Sequence, residues 1–312
     1  MSQLAPTINN SKAIIICKLA ETILVTGATG TLGSEVVKQA SNYTDVSVKA
    51  AARSVNRIIH LEGDRVKTVA LDYTKPESMK EALKNVDKLF LLTPDAPNAH
   101  ELASHLVNEA RTAGVRHIVK QSMIGADFKA DAEVMRLHRQ AEQIIEESGI
   151  PYTFLRPNEF MQNFINFHGH SIKNNNAFYL PMESAKVSVV DVRDIAAVAV
   201  KVLIENGDNN KYNNKIFLIA GPEALSYHQM AELLSNATGK KISYISISEE
   251  EARAAMKEMG MDDWLTNAIL ELYNYFRKGY ASQVSSGVEE VTGKNPRSFT
   301  QFVRDYVEAF RY

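Results

Sequence analysis

Residues 21–34 read ETILVTGATGTLGS, and this stretch decides the fold. An apolar run, Ile23-Leu24-Val25, leads into Thr26-Gly27-Ala28-Thr29-Gly30-Thr31-Leu32-Gly33, and a helical pattern, Glu35-Val36-Val37-Lys38-Gln39, follows at once. A strand, a glycine turn and a helix in that order aim backbone N–H groups and the positive end of a helix at one point, which suits a pyrophosphate. Gly27 is expected to permit the tight turn, Gly30 to allow close backbone approach, and Gly33 to let helix and strand pack closely. The spacing is G-x-x-G-x-x-G, which departs from the common G-x-G-x-x-G fingerprint, so the flanking strand and helix carry the assignment to a dinucleotide.

Working outward, Val46-Ser47-Val48-Lys49-Ala50-Ala51-Ala52 reads as the next strand and ends at Arg53-Ser54, with Arg57 one turn further on. Proteins that bind NAD commonly place an acidic residue here for the ribose 2′-hydroxyl. Small alanines followed by a guanidinium suit a 2′-phosphate instead, by charge and by stacking on adenine. The expected cofactor is therefore NADP(H) in preference to NAD(H).

The remaining runs alternate between strand and helix, which implies crossovers and a parallel sheet. Strands are expected at 22–26, 46–52, 66–71, 87–92, 116–121, 152–156 and 215–220, with helices near 31–41, 54–61, 76–85, 98–113, 132–148 and 192–205. Pro76 opens one helix, and Gly114 and Gly149 close two others. The fold class is α/β: a Rossmann-type doubly wound parallel sheet with a smaller, mainly helical C-terminal lobe. The expected division is an arm over 1–20, a nucleotide-binding domain over 21–157 plus 189–220, and a substrate lobe over 158–188 plus 221–312. Capping-box spacings at Ser226, Ser248 and Ser298 mark helix starts in that lobe, and a long helix is expected over 263–279. Residues 206–214 read as a solvated, asparagine-rich loop.

Composition narrows the function classes. Among 312 residues, 45% are hydrophobic and 23% charged, which fits a soluble globular protein rather than a disordered one. A net charge of −2 gives no electrostatic case for nucleic acid or an acidic membrane surface. The single cysteine, Cys17, excludes an internal disulfide and fits a reducing, cytoplasmic compartment. Residues 13–20, AIIICKLA, are too short for a membrane span and read as an added strand or an anchoring arm. No metal-ligand spacing occurs among the eight histidines, so no metal is expected. The expected partner is a small-molecule substrate, for a monomer or homodimer.

Taken together, ILVTGATGTLG, AARS, LDYTKPESMKEAL, VDKLFLLTP, AGVRHIVKQSMIGA, SGIPYTFLRPNEFMQNF and TGKNPRSFTQF make the chain resemble the NmrA-like group of atypical short-chain dehydrogenases/reductases, over about residues 22–310. The group includes quinone, azo-dye and triarylmethane reductases, alkaloid reductases, and regulators that bind NADP without turnover. The resemblance implies pyrophosphate contacts at Thr26, Gly27, Thr29, Gly30, Thr31, Leu32 and Gly33, and a 2′-phosphate at Arg53 and Arg57. It implies that Asp72 and Tyr73 lie by the adenine, and that Leu92, Thr93 and Pro94 line the nicotinamide ribose. Ser122 and Met123 would end the next strand, and Pro157, Asn158, Glu159 and Phe160 would close around the carboxamide. Asp72 is also readable as a turn residue, and Thr93-Pro94 as a strand end.

Typical short-chain dehydrogenases carry a Tyr four residues before a Lys after the serine strand. Here the stretch after Ser122 contains EVMRLHRQAE at 133–142, with neither. His138 and Glu142, four apart on one helical face, are the replacement pair: a histidine near neutrality with its tautomer set by a carboxylate. The plain alternative is an ordinary helix pair. Catalytic candidates are thus His138, Glu142 and Ser122. Substrate candidates are Met123, Asn158, Phe160, Met161, Phe164 and Trp264, whose aromatic faces and thioethers suit a flat conjugated molecule or, equally, a core between lobes. The expected activity is NADPH-dependent hydride transfer to such an acceptor. Alternatives are an NADP(H)-sensing regulator without turnover, and an isomerase or lyase that retains NADP.

Overall fold

The computed structural model describes residues 21–205 and 211–311. The arm over 1–20 and part of the asparagine-rich loop, 206–210, lie outside the described residues.

The chain order is β1 (Glu21–Val25), α1 (Thr31–Ala40), β2 (Val46–Ala52), β3 (Val66–Ala70), α2 (Pro76–Leu83), β4 (Lys88–Leu91), α3 (Ala99–Thr112), β5 (His117–Gln121), α4 (Glu133–Ser148) and β6 (Tyr152–Pro157). Then come α5 (Asn163–Asn166), α6 (Gly169–Asn175), β7 (Ala177–Leu180), β8 (Lys186–Val187), α7 (Val192–Ile204) and β9 (Lys215–Ile219). The remainder is β10 (Leu225–Ser226), α8 (Tyr227–Thr238), β11 (Ser243–Ser246), α9 (Glu249–Glu258), α10 (Asp263–Arg277), α11 (Gly287–Thr292) and α12 (Phe299–Asp305). Seven strands form one sheet in the order β3-β2-β1-β4-β5-β6-β9, all neighbours parallel. This is the doubly wound Rossmann arrangement, with the strand order reversing between β1 and β4.

The sheet forms because its central strands are apolar on both faces. Ile23 and Val25 face the layer that contains α1 and α7, whereas Leu24, Leu89 and Leu91 face the layer of α2 and α3. A separate core lies in the lobe, where Phe164, Phe178, Tyr227, Phe299 and Phe302 pack ring against ring. Two small sheets brace that lobe: β11 with β7, parallel, and β10 with β8, antiparallel.

Three expectations change. The expected helix over 54–61 is two 3₁₀ turns, Val55–Arg57 and Ile59–Leu61; only Ile58 between them is buried, so there is no apolar stripe to hold an α-helix. Ser226 and Ser248 make full capping boxes, but at α12 only half the box forms, because the Gln301 amide donates to Asp305 Oδ1 at 2.6 Å. Finally, α11 packs on α7 and the sheet through Val288 and Val291, so residues 287–292 join the nucleotide-domain layers although they follow residue 221.

The turn after β1 depends on its glycines unequally. Gly27 has φ +64, a conformation that side chains with a Cβ resist. A Cβ on Gly33 would lie 2.2 Å from the Gly27 carbonyl oxygen, so α1 can start where it does only with glycine there. We expect Gly33→Ala to cost about 1–3 kcal/mol of stability in urea unfolding; a loss below about 0.5 kcal/mol would contradict this packing.

Candidate active site

The turn between β1 and α1 is held from both sides. The Ala28 N–H donates to the Ala51 carbonyl at 3.2 Å, tying the turn to β2. Thr26, fully buried, has one hydroxyl proton to share between the Phe90 and Leu92 carbonyls, each 3.2 Å from Oγ1, and accepts from the Leu92 N–H at 2.8 Å. Tyr73 Oη donates to the Leu92 carbonyl at 2.6 Å, and burial pushes this phenol up. Thr26 and Tyr73 therefore spend their hydroxyls on shaping the segment after β4.

What the turn leaves open are amides. The first turn of α1 contains no acidic residue, and its N-cap, Gly30, contributes no side-chain cap. The N–H groups of Thr31, Leu32 and Gly33 precede the first intrahelical bond, so the positive helix end faces outward. Thr29, Gly30 and Thr31 are exposed. Next door, Arg53 and Arg57 stand exposed at the end of β2 without an ion-pair partner among the described residues. Asp72 is engaged locally: Oδ1 accepts from the Thr74 N–H at 3.0 Å and the Thr74 hydroxyl at 2.7 Å, which holds its carboxyl below the usual range. That is a turn opening α2.

Beyond β4 lies a narrow cleft with about 10 Å³ of free space, room for about one water, lined by Thr93, Pro94, Asp95, Ala96, Ala99, Val134, Leu137, His138 and Trp264. Three separate elements meet here: the segment after β4, the inner face of α4, and the start of α10 from the lobe. His138 and Trp264 thus come together with Thr93 and Pro94. Glu142 does not join them. It is buried and accepts from Arg156 at 2.9 Å (Nε) and 2.6 Å (Nη2), with Arg139 as a third donor at 3.4 Å. The expected His138–Glu142 pair is therefore replaced. Glu142 neutralises Arg156 from β6, and His138 Nδ1 lies 3.1 Å from Lys120 Nζ of β5. Burial and the lysine charge hold His138 well below the ordinary histidine range, so the ring is neutral at pH 7.

The segment after β6 also differs from expectation. Asn158 is buried; its amide donates to Ser188 Oγ (2.9 Å) and the Ala281 carbonyl (2.8 Å), and its oxygen accepts from the Glu159 N–H (2.8 Å). Both donors are spent on joining lobe to sheet, which leaves none for a carboxamide or an acceptor. Met161 and Phe164 are each 1% exposed and belong to the lobe core, so they are core residues rather than pocket lining. Pro157 is buried at the end of β6, while Phe160 is half-buried against the sheet core and Met123 is half-buried after β5. The Ser122 hydroxyl is buried with no hydrogen-bond partner.

Sequence reasoning missed Lys120 and undervalued Glu159. A lysine inside HIVKQ, an otherwise buried strand, was the available signal for the first. Glu159 accepts from Tyr227 Oη at 2.6 Å, and burial pushes its carboxyl up to about 7. No helix among the described residues is long and apolar enough to cross a membrane.

Comparison with known proteins settles the lineage. The profile of the NmrA-like family matches residues 20–306. The chain belongs to the NmrA-like family. A family relative, the NAD(P)H azoreductase of Xenophilus azovorans, is 37% identical over 288 residues, covering 92% of this chain and 99% of that protein. Triphenylmethane reductase of Citrobacter sp., solved with NADP(H), superposes with a TM-score of 0.79 at 26% identity, covering 91% of this chain and 99% of the other. The NADPH-dependent quinone oxidoreductase of Escherichia coli, solved with NADPH, gives 0.81 at 25%, with the same coverage.

The raised Glu159 carboxyl has a thermodynamic signature. A folded-state pKa above the unfolded value means the native state holds the extra proton, so its contribution is present at low pH and lost as pH rises from about 4.5 through about 7. Glu159→Gln keeps an acceptor for Tyr227 and removes that loss. Its Tm should exceed the wild-type value at pH 8 by on the order of a few degrees and by less at pH 5. An equal difference at both pH values would contradict the buried, protonated carboxyl.

Proposed function

We propose that the protein is an NADPH-dependent reductase of flat aromatic acceptors such as quinones or azo compounds. The cofactor reading is carried by Gly30. Its backbone is extended, at φ −91 and ψ 167, open to any residue, and a Cβ there would meet only the Gly27 oxygen at an ordinary 3.4 Å. The protein's own packing does not require glycine at this position; a phosphate seated on the α1 amides does. The residues present therefore fit a dinucleotide: α1 amides for the pyrophosphate, and Arg53 with Arg57 for a 2′-phosphate. NADPH bound there supplies a hydride to the acceptor.

The chain's own residues do the rest. Thr26 and Tyr73 fix the segment after β4, so that Thr93 and Pro94 form one wall of the cleft. Leu137, Val134 and Trp264 give the cleft an apolar, partly aromatic lining; a planar ring enters only if the α4 and α10 walls part, and would then stack there with water excluded. His138 is the one neutral imidazole on that wall and is the group positioned to give a proton to the acceptor. The azoreductase and quinone oxidoreductase likenesses support this substrate class.

Arg53→Ala should weaken NADPH binding about tenfold or more, roughly 1.4 kcal/mol, and change NADH binding less than about twofold. Equal losses in calorimetry would remove the 2′-phosphate contact. Following NADPH absorbance across a panel of quinones and azo dyes tests the activity directly. Turnover of at least one is expected, and tight binding with no turnover of any would support a sensor instead.

A further inference from the structure

We propose that Lys120 is a positioning residue and proton source behind His138: it fixes the imidazole as the Nε2–H tautomer facing the cleft and refills it during reduction. The chemistry rests on the reductase reading above; the tautomer claim stands on the Lys120–His138 contact and on Lys120 being an ammonium.

Lys120 is fully buried in β5, a parallel strand whose first four residues are all buried. Its Nζ donates to the Gln121 carbonyl at 2.7 Å and lies 3.1 Å from His138 Nδ1. Below about pH 7, where Lys120 is an ammonium with three donors and no acceptor, Nδ1 accepts. A neutral imidazole whose Nδ1 accepts carries its proton on Nε2. Among the described residues Nε2 has no hydrogen-bond partner, and it is not among the sealed, unpartnered polar atoms, so it keeps access to the cleft that the ring lines.

Several charged groups face this pair. Glu142 of α4 and Arg156 of β6 lie near Lys120, the first favouring its charge and the second opposing it. Because Glu142 is bidentate with Arg156, its field at the lysine is largely offset. Asp95 lines the same cleft as His138. Burial brings the Lys120 ammonium down to about 7, so its proton is exchangeable at neutral pH, unlike that of a surface lysine.

The step balances. After the acceptor gains a hydride it carries an anionic oxygen or nitrogen. The Nε2–H bond breaks and its proton goes to that atom, while Nδ1 takes a proton from the Lys120 ammonium. The imidazole stays neutral, now protonated on Nδ1, and Lys120 becomes an amine. One proton from bulk solvent, delivered as hydronium that becomes water, then reprotonates Nε2, and the Nδ1 proton returns to Lys120. A lone buried neutral histidine would have to become imidazolate to do the same.

The test is nitrogen NMR of the ¹⁵N-histidine-labelled protein, with His138→Gln assigning the signal. Wild type at pH 6, below the Lys120 titration at about 7, should show His138 as the Nε2–H tautomer, and an Nδ1–H tautomer would overturn the proposal without any variant. Lys120→Met removes the cation; the His138 tautomer should shift toward Nδ1–H and its pKa should rise by about one unit or more. With a quinone that the wild type reduces, kcat should fall about 10–100-fold, with KM and NADPH affinity within about twofold. The wild-type decline in kcat as pH rises through about 7 should vanish. An unchanged tautomer and pH profile in Lys120→Met would reduce Lys120 to a core residue. Undiminished turnover in His138→Gln would instead overturn the proton-donor role and with it the relay, while the wild-type tautomer result reads the geometry separately.

Discussion

Everything in this molecule is arranged around one close contact, between the Gly27 carbonyl and the α-carbon of Gly33. It lets α1 begin immediately above the end of β1, at the point where the strand order reverses. The Ala28–Ala51 hydrogen bond then fixes this turn against β2, and Thr26 fixes it against the segment after β4. A displaced α1 would therefore move its free N-terminal amides, the Arg53 side and the cleft wall together. The site is as rigid as that turn.

The second organising feature is the contrast between polar groups that are spent and those left free. Thr26, Tyr73, Asp72, Asn158, Glu142 and Arg156 all use their hydrogen bonds within the protein. They hold the frame. Among the described residues, the groups left facing outward are the α1 amides, two guanidiniums without an ion-pair partner and an imidazole edge. An anionic dinucleotide and a planar acceptor that ends as an anion are the ligands these remaining groups match.

How much of this was legible from sequence follows from where each signal resides. The central strands are readable because apolar runs buried on both faces have no competing use, and the observed bounds of all seven strands fall within about two residues of expectation. The 54–61 segment misled because Ile58 and Leu61 look helical in spacing, although only Ile58 is buried. The strands β7 and β11 were missed: four residues each carry too little periodicity, and their pairing is visible only in space. His138 and Glu142 do share α4, yet Arg156 arrives from β6 and captures the carboxylate. Spacing along one helix cannot reveal a competitor from another element. Asn158 was misassigned for the same reason, since Ser188 and Ala281 are far from it in sequence.

The most direct test of this account is an amide-resolved NMR titration of the protein with NADPH. The N–H signals of Thr31, Leu32 and Gly33 should shift together and saturate at the same ligand concentration as the Arg53 side-chain signal, because one molecule bridges both. Saturable shifts confined to other parts of the chain, or none at these three amides, would contradict it.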